Sequence, residues 1–158
     1  MSADDRRDDA NDANDANDAN DVDDSEATTL YARLGGDAEV RALVDRFYDA
    51  MERLPEAATI RAMHPRNMAG SRQKLYEFLS GWLGGPQLYI EKHGHPRLRR
   101  RHLPFDIGTP EATAWMRCMA LALDGLPATV SPLLRETVQS QLGQVAAFMR
   151  NRPGDSPG

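Results

Sequence analysis

The chain of 158 residues suits one domain, and although 41% of its residues are hydrophobic, no apolar run approaches the ~18 residues needed to span a bilayer. One cysteine excludes an internal disulfide and a cysteine cluster for zinc or iron–sulfur binding, and with no apolar leader we expect a cytoplasmic protein. Residues 1–26 hold eleven acidic and two basic residues (net −9), whereas residues 27–158 hold thirteen acidic and seventeen basic residues (net +4). No aromatic residues are interleaved with the arginines, so neither nucleic acid nor a membrane is an expected partner.

The N-terminal segment is a three-residue repeat of Ala, Asn and Asp, "DDANDANDANDANDVDD". It lacks the apolar content that offsets the entropy of ordering, so we predict disorder for residues 1–27. A solubilising tail is the simplest interpretation, and an acidic arm that folds back on the arginines of 97–101 is the alternative. Residues 28–151 are predicted to form one domain, and 152–158 a disordered C-terminus.

The first half of this domain has helical periodicity. A short helix at 28–34 ends at two glycines, and Asp37 is expected to cap the next helix. The apolar residues of that helix recur at i, i+3 and i+4: Val40, Leu43, Val44, Phe47, Tyr48 and Met51. A short helix should follow to about residue 62, and a corner at His64-Pro65. A further helix is predicted over 67–83, with one face made of Met68, Ser71, Leu75, Phe78, Leu79 and Trp82.

The second half begins with a firm break at Gly84-Gly85-Pro86, after which 87–95 reads as a loop with room for helical turns. A short helix is predicted over 96–103. Thr109-Pro110-Glu111 and Ser131-Pro132 are helix starts, and the last helix should reach about residue 150. No strand pattern is present, so the sequence predicts an all-α domain.

The stretch "HGHPRLRRRHLPF" concentrates histidines and arginines. Leu98 and His102 are four residues apart and share a helix face, so His102 should point inward. Neutral imidazole ligates metals and arginines bind carboxylates, and haem, with its axial histidine and two propionates, uses both. The alternatives are a core histidine at 102 and a solvated arginine face. His93 is expected in a loop, His95 as a helix cap, and the absence of an HExxH pattern speaks against a hydrolytic metal site.

The motifs "LYARLGGDAEVRALVDRFYDAM", "FLSGWLGGPQLY", "HGHPRLRRRHLPFDIG" and "AWMRCM" together resemble the truncated haemoglobins of the second group. The resemblance covers about residues 29–150, in the family's order and with its separations. It implies a two-over-two helical sandwich, an abbreviated globin fold. It also implies a haem b cofactor and O₂ or another diatomic ligand as partner.

The resemblance assigns roles residue by residue. His102 matches the proximal iron ligand, and Tyr48 matches the distal tyrosine whose hydroxyl donates to iron-bound oxygen. Trp115 matches the tryptophan typical of this group, whose indole N–H points at the ligand. His64 falls at the corner position where a further donor can stand. Without the resemblance, Tyr48 and Trp115 would be core aromatics and His64 an exposed corner residue.

Further positions match the walls and edge of the haem pocket. The distal wall would be formed by Ser71, Leu75 and Phe78, where the small serine leaves access to the iron open. Contacts to the haem propionates are implied for Lys74, Tyr89 and Arg101, each of which is otherwise plain surface.

Several distal donors predict high oxygen affinity and slow release, since each stabilises partial negative charge on a bound ligand. The alternatives are a haem enzyme for NO dioxygenation or a peroxidase-like reaction, and a helical interaction module without haem. The enzyme would need a separate reductase, because the chain has no flavin or nicotinamide domain. The expected partners are therefore a diatomic ligand and an electron donor, and a homodimer stays open.

Overall fold

The computed structural model describes residues 29–151, in which every regular element is helical. The α-helices are α1 (Leu30–Leu34), α2 (Asp37–Arg53), α3 (Ala58–Ala62), α4 (Ala69–Trp82), α5 (Leu88–His93), α6 (Leu98–His102), α7 (Thr109–Asp124) and α8 (Pro132–Phe148). A 3₁₀ turn, Pro55–Ala57, precedes α3. The predictions of disorder for residues 1–27 and 152–158 lie outside the described residues.

Four long helices carry the core. α2 packs against both α4 and α7, and α8 packs against α7, so two helix pairs face one another. Every residue of α2 that the periodicity predicted to face the core is buried, Phe47 fully and Val40, Leu43, Val44 and Met51 nearly so, and Ala50 is buried with them. The all-α prediction is confirmed. Among the helices of the described part, none is long and apolar enough to cross a membrane.

The helix starts were predicted in position but not always in chemistry. Ser131 accepts a hydrogen bond from the Leu134 backbone N–H, as a capping serine should. Asp37, however, is the first residue of α2 rather than its cap, and Gly36 stands at the cap position. The Asp37 carboxylate instead accepts hydrogen bonds from Arg41 and from the hydroxyl of Tyr76. The carboxylate thereby ties the start of α2 to α4.

Residues 88–93, read from the sequence as mainly loop, form the helix α5. Its anchor is Glu77 of α4, which is only 3% exposed and accepts hydrogen bonds from Gln73, Lys92 and His93. Burial alone would raise the pKa of this carboxyl, but these three partners lower it to about 2, so Glu77 is held as an anion. A buried carboxylate thus fixes the segment that leads to the proximal histidine candidate.

The short helix α6 differs from every long helix because it has no buried residue. Its preceding residue, Arg97, has a φ of 46°, in the left-handed region that non-glycine residues seldom adopt. His95 accepts a hydrogen bond from the Arg97 backbone N–H at 3.0 Å. Arg97 and not His95 stands at the cap position, without a side-chain capping bond, so the prediction that His95 caps this helix is wrong. The helix spans Leu98–His102, within the predicted range 96–103.

Candidate functional site

His102 stands at the last position of α6 and is half-buried. Its Nδ1 lies 2.7 Å from the carbonyl oxygen of Leu98, one turn earlier. Because a carbonyl only accepts, Nδ1 carries the proton and Nε2 holds the lone pair. A histidine that donates one ring N–H to a backbone carbonyl and keeps the other nitrogen free has the arrangement of a metal-ligating histidine. The arrangement leaves Nε2 able to ligate a metal, and the role of His102 as the iron ligand stays a prediction.

Tyr48 lies on α2 and is 5% exposed. Its hydroxyl donates to the carbonyl oxygen of Ser71 on α4 at 3.4 Å, well beyond the ~2.7 Å of a normal O–H···O bond. Burial raises the pKa of this hydroxyl well above its ordinary value, with partial opposition from the charge of Arg72, so it keeps its proton. The hydroxyl is thus a protonated donor with a weak partner, ready to donate to a better acceptor.

Ring contacts gather the other distal candidates around Tyr48. Phe47 packs edge-on against Tyr48 and tilted against Trp115 of α7, both with ring centroids 4.9 Å apart. The ring of His64 meets that of Tyr48 at 5.7 Å. Neither hydrogen bond nor ion pair engages the half-buried Trp115 within residues 29–151, which leaves its indole N–H available. The structure thus brings Tyr48, Trp115 and His64 into one aromatic cluster.

His64 has the same internal arrangement as His102. Its Nδ1 lies 2.8 Å from the carbonyl oxygen of Ile60, so this nitrogen donates and Nε2 remains free. His64 also borders a surface cleft of about 560 Å³, whose cationic lining residues are Arg53, Arg61 and Arg66. The imidazole therefore stands between this cleft and the buried ring of Tyr48.

The two faces of α4 are buried to different degrees. Tyr76, Leu79 and Ser80 are buried in the core. The residues implied for the distal wall, Ser71, Leu75 and Phe78, are half-buried at i, i+4 and i+7. A largely apolar stripe that the protein leaves half-covered is the surface that a flat apolar ligand would complete. The predicted single face thus divides into a core side and a stripe side.

The three residues predicted to contact the haem propionates differ in exposure and in the partners that they already have. Lys74 is exposed on α4 and makes no hydrogen bond or ion pair in the described part of the chain. Tyr89 is 9% exposed, with its ring 4.6 Å from that of His93. Arg101 is exposed and donates its Nε to the carbonyl of Pro96 at 2.9 Å, which leaves its terminal nitrogens free. Lys74 and Arg101 can therefore reach a carboxylate without breaking an ion pair.

Two supporting residues escaped the sequence reasoning. Arg72 forms ion pairs of 3.0 Å with Asp45 and Asp49, one turn apart on α2, and its guanidinium lies 5.6 Å from the Tyr48 ring. Asn151 donates to the backbone carbonyl of His102 at 3.2 Å. The spacing of the two aspartates was visible in the sequence as one face of a helix, but their partner lay more than twenty residues away. No local pattern marks Asn151.

No hydrogen bond or ring contact joins His102 to the Tyr48 cluster among residues 29–151. The two parts of the candidate site are separate in the protein, on α6 and on α2, α4 and α7. No group of three or more His, Cys, Asp or Glu side chains in the same residues is placed to hold a metal ion.

The comparisons with known proteins agree on one family. The bacterial-like globin model matches residues 29–151. Group 2 truncated hemoglobin YjbI of Bacillus subtilis (strain 168) is 39% identical over 119 residues, which are 74% of this chain and 85% of that protein. The group II 2-on-2 hemoglobin from the plant pathogen Agrobacterium tumefaciens is 47% identical, with a TM-score of 0.76 over 82% of this chain and 98% of that chain.

A third relative adds a property of its own. The truncated oxygen-avid haemoglobin from Bacillus subtilis is 36% identical, with a TM-score of 0.69 over 78% of this chain and 99% of that one. The two facing helix pairs fit the two-over-two architecture that the motifs implied. The chain thus belongs to the bacterial-like globin family as a group II truncated haemoglobin, which implies a haem cofactor and a diatomic gas ligand such as O₂.

Proposed function

We propose that this globin holds haem b through His102 and binds O₂ reversibly with high affinity, as well as NO and CO. The observation that carries the proposal is the His102 ring, whose Nδ1 lies 2.7 Å from the Leu98 carbonyl oxygen and whose Nε2 has no hydrogen-bond partner among residues 29–151. The half-covered stripe of Ser71, Leu75 and Phe78 fits the group, because it offers a largely apolar wall to a flat apolar ring. Lys74, Tyr89 and Arg101 would hold the propionates.

Haem would supply the iron that binds the diatomic ligand and transfers partial negative charge to it. The protein's own part is to place proton donors where that charge develops. Tyr48 is buried, protonated and weakly bonded to Ser71 at 3.4 Å, so turning its hydroxyl to a ligand costs little. Trp115 and His64 add two further N–H or imidazole groups from the same cluster. Each neutral donor contributes roughly 0.5–1.5 kcal/mol in a buried site.

High oxygen affinity is also the property in the printed title of the Bacillus subtilis structure, which calls that protein oxygen-avid. Slow release of O₂ would not serve bulk delivery. It favours storage, sensing or chemistry on the bound gas. A cytoplasmic location accords with the single cysteine, a buried free thiol.

The second candidate is a haem enzyme for NO dioxygenation or a peroxidase-like reaction, with an electron donor that restores ferrous iron. The free Nε2 of His64, placed between the surface cleft and Tyr48, favours it because such a group can exchange protons with solvent. A homodimer is compatible with either function.

One experiment separates these functions from a helical module without haem. The purified chain is reconstituted with haem, and its ferrous and ferrous–oxy spectra are recorded together with oxygen dissociation by stopped flow. We expect a Soret band and slow dissociation. A chain that shows no Soret band after reconstitution would contradict both proposals. Fast NO consumption sustained by an added reductase system would favour the enzyme.

A further inference from the structure

The segment around His102 is held in place in an unusual way for a globular core. α6 has five residues and none of them is buried. An isolated helix of this length is not stable in water, because nucleation costs more than one turn returns. The position of α6 must therefore come from contacts with the rest of the chain, and the apolar core does not supply them.

The contacts come from the end of the domain. Asn151 lies just beyond α8, and its side-chain Nδ2 donates to the carbonyl of His102 at 3.2 Å and to that of Phe105 at 2.9 Å. Its Oδ1 accepts from the backbone N–H of Ile107 at 3.0 Å, and its own N–H donates to the Ile107 carbonyl at 2.7 Å. One asparagine thus makes four hydrogen bonds to the six residues 102–107.

Arg99 makes a second set of hydrogen bonds between α6 and the end of α8. Its Nε donates to the carbonyl of Phe148 at 3.1 Å, and its Nη2 donates to the carbonyl of Arg150 at 3.0 Å. The carbonyl of Phe148 belongs to the last turn of α8, which needs partners from outside the helix. α6 and the end of α8 are therefore joined at two points.

We propose that Asn151 is a positioning residue for the proximal histidine, and that it sets the direction of the His102 imidazole. The proposal rests on the proposed haem ligation by His102. The carbonyl of His102 also accepts from the N–H of Phe105 at 3.0 Å, and the Nδ1 of His102 donates to Leu98. With its carbonyl and its Nδ1 both bonded, the residue has its peptide plane and its ring fixed together. Asn151 fixes the peptide plane through its hydrogen bond to the His102 carbonyl.

The test replaces the two donors while keeping the acceptor. Asn151→Asp retains an oxygen for the Ile107 N–H but turns the contacts to His102 and Phe105 into oxygen–oxygen repulsion. In the haem-loaded chain we expect a shifted iron–histidine stretching band in the ferrous resonance Raman spectrum. We also expect about tenfold faster transfer of haem to an apomyoglobin acceptor, the effect of losing the two side-chain hydrogen bonds to His102 and Phe105. In the haem-free chain, amide hydrogen exchange of residues 103–107 should quicken.

The matched control is Asn67→Asp, because the Oδ1 of Asn67 accepts from the Ala69 N–H and that bond survives the change. It adds the same charge just before α4, outside α6 and residues 102–107, and should leave all three readouts as in the unsubstituted chain. If Asn151→Asp does not fold, Asn151→Ala removes the amide donors, together with the acceptor, without adding charge.

The outcomes separate this proposal from the proposed function. An Asn151 variant that loses thermal stability but keeps the iron–histidine band and the haem-transfer rate shows a purely structural role and overturns the proposal. A shifted band in Asn151→Asp with an intact Soret band supports it. An unsubstituted chain without a Soret band removes the haem-based function itself. In that case, slower amide exchange at residues 103–107 in the unsubstituted chain than in the Asn151 variants would still support the anchoring of this segment by Asn151.

Discussion

The distal and proximal halves of the candidate site are held in place by different kinds of interaction. On the distal side, Tyr48 and its neighbour Phe47 are 5% and 0% exposed and belong to the main core. On the proximal side, His102 belongs to a helix without a buried residue and is held through Asn151 and Arg99. The distal geometry therefore shares the stability of the whole domain. The proximal geometry depends on a few polar contacts at the end of the chain and can change while the core stays intact.

The largest expected effect comes from removing the proposed iron ligand. His102→Ala should lose stable haem binding, since the apolar stripe alone cannot fix a ring that lacks its axial bond. A Soret titration measures the loss. His95→Ala is the control, because it removes an imidazole seven residues away whose Nδ1 accepts from the Arg97 N–H. Unchanged ferrous spectra in His102→Ala would place the axial ligand elsewhere.

The next effect concerns Glu77, which links the distal helix α4 to the segment leading to α6. Glu77→Gln should lower the free energy of unfolding at pH 7 by about 2 kcal/mol, because the charge-assisted bonds from Lys92 and His93 are lost. Since the folded pKa of about 2 lies below the ordinary 4.5, the contribution is present above pH 4.5 and is lost as pH falls towards 2.

Urea unfolding followed by circular dichroism from pH 7 to pH 3 measures this contribution. The difference between Glu77→Gln and the unsubstituted chain should narrow as the pH falls. Glu91→Gln, which removes an exposed carboxylate from α5, the helix that carries Lys92 and His93, should show no such difference. A constant gap at all pH values would mean that packing around residue 77, and not its charge, carries the effect.

The distal donors should have smaller effects that leave haem binding intact. Tyr48→Phe and Trp115→Phe should each speed oxygen dissociation about fivefold, since each removes one donor worth roughly 1 kcal/mol. Stopped-flow oxygen dissociation gives the rates. Tyr31→Phe, which removes a hydroxyl from the start of the domain, serves as control. Unchanged rates in both distal variants would remove the donor argument.

The smallest effects are expected at the propionate edge. Lys74→Ala and Arg101→Ala should each speed haem transfer about twofold, because exposed ion pairs contribute little. Arg100→Ala is the matched control, as Arg100 is the exposed neighbour of Arg101 on the same helix. An effect at Arg100 equal to that at Arg101 would show that the arginines act as a diffuse positive field.

The elements that the sequence predicted well are those whose cause is local. The i, i+3, i+4 apolar positions of α2 are buried as expected, and Ser131 caps α8. The sequence predicted α5 only as a loop with room for helical turns, because its anchor is long-range: Lys92 and His93 lie fifteen and sixteen residues after Glu77 in the chain. Asp37 was misassigned because a carboxylate that fits a cap was recruited by Tyr76 of another helix.

The candidate site shows the same division. The four-residue spacing of Leu98 and His102 predicted an inward-facing imidazole. In the structure His102 is half-buried on a helix without a buried residue, and its Nδ1 donates to the Leu98 carbonyl. The distal roles of Tyr48 and Trp115 came from the family resemblance, since a buried aromatic residue has the same sequence pattern whatever its role. Asn151 was beyond prediction, because a hydrogen bond across 49 residues depends on how the chain ends are brought together.

Cys118 carries a practical consequence of the buried core. It lies on α7 three residues after Trp115, is fully buried, and burial followed by the charge of Glu56 raises the pKa of its thiol to about 11. The thiolate that reacts with peroxide or with alkylating reagents is therefore scarce at neutral pH. The thiol can be labelled only when the helices separate, so the labelling rate reports how often the native state opens. The protein thus carries an intrinsic probe of its own local opening, one helical turn from Trp115.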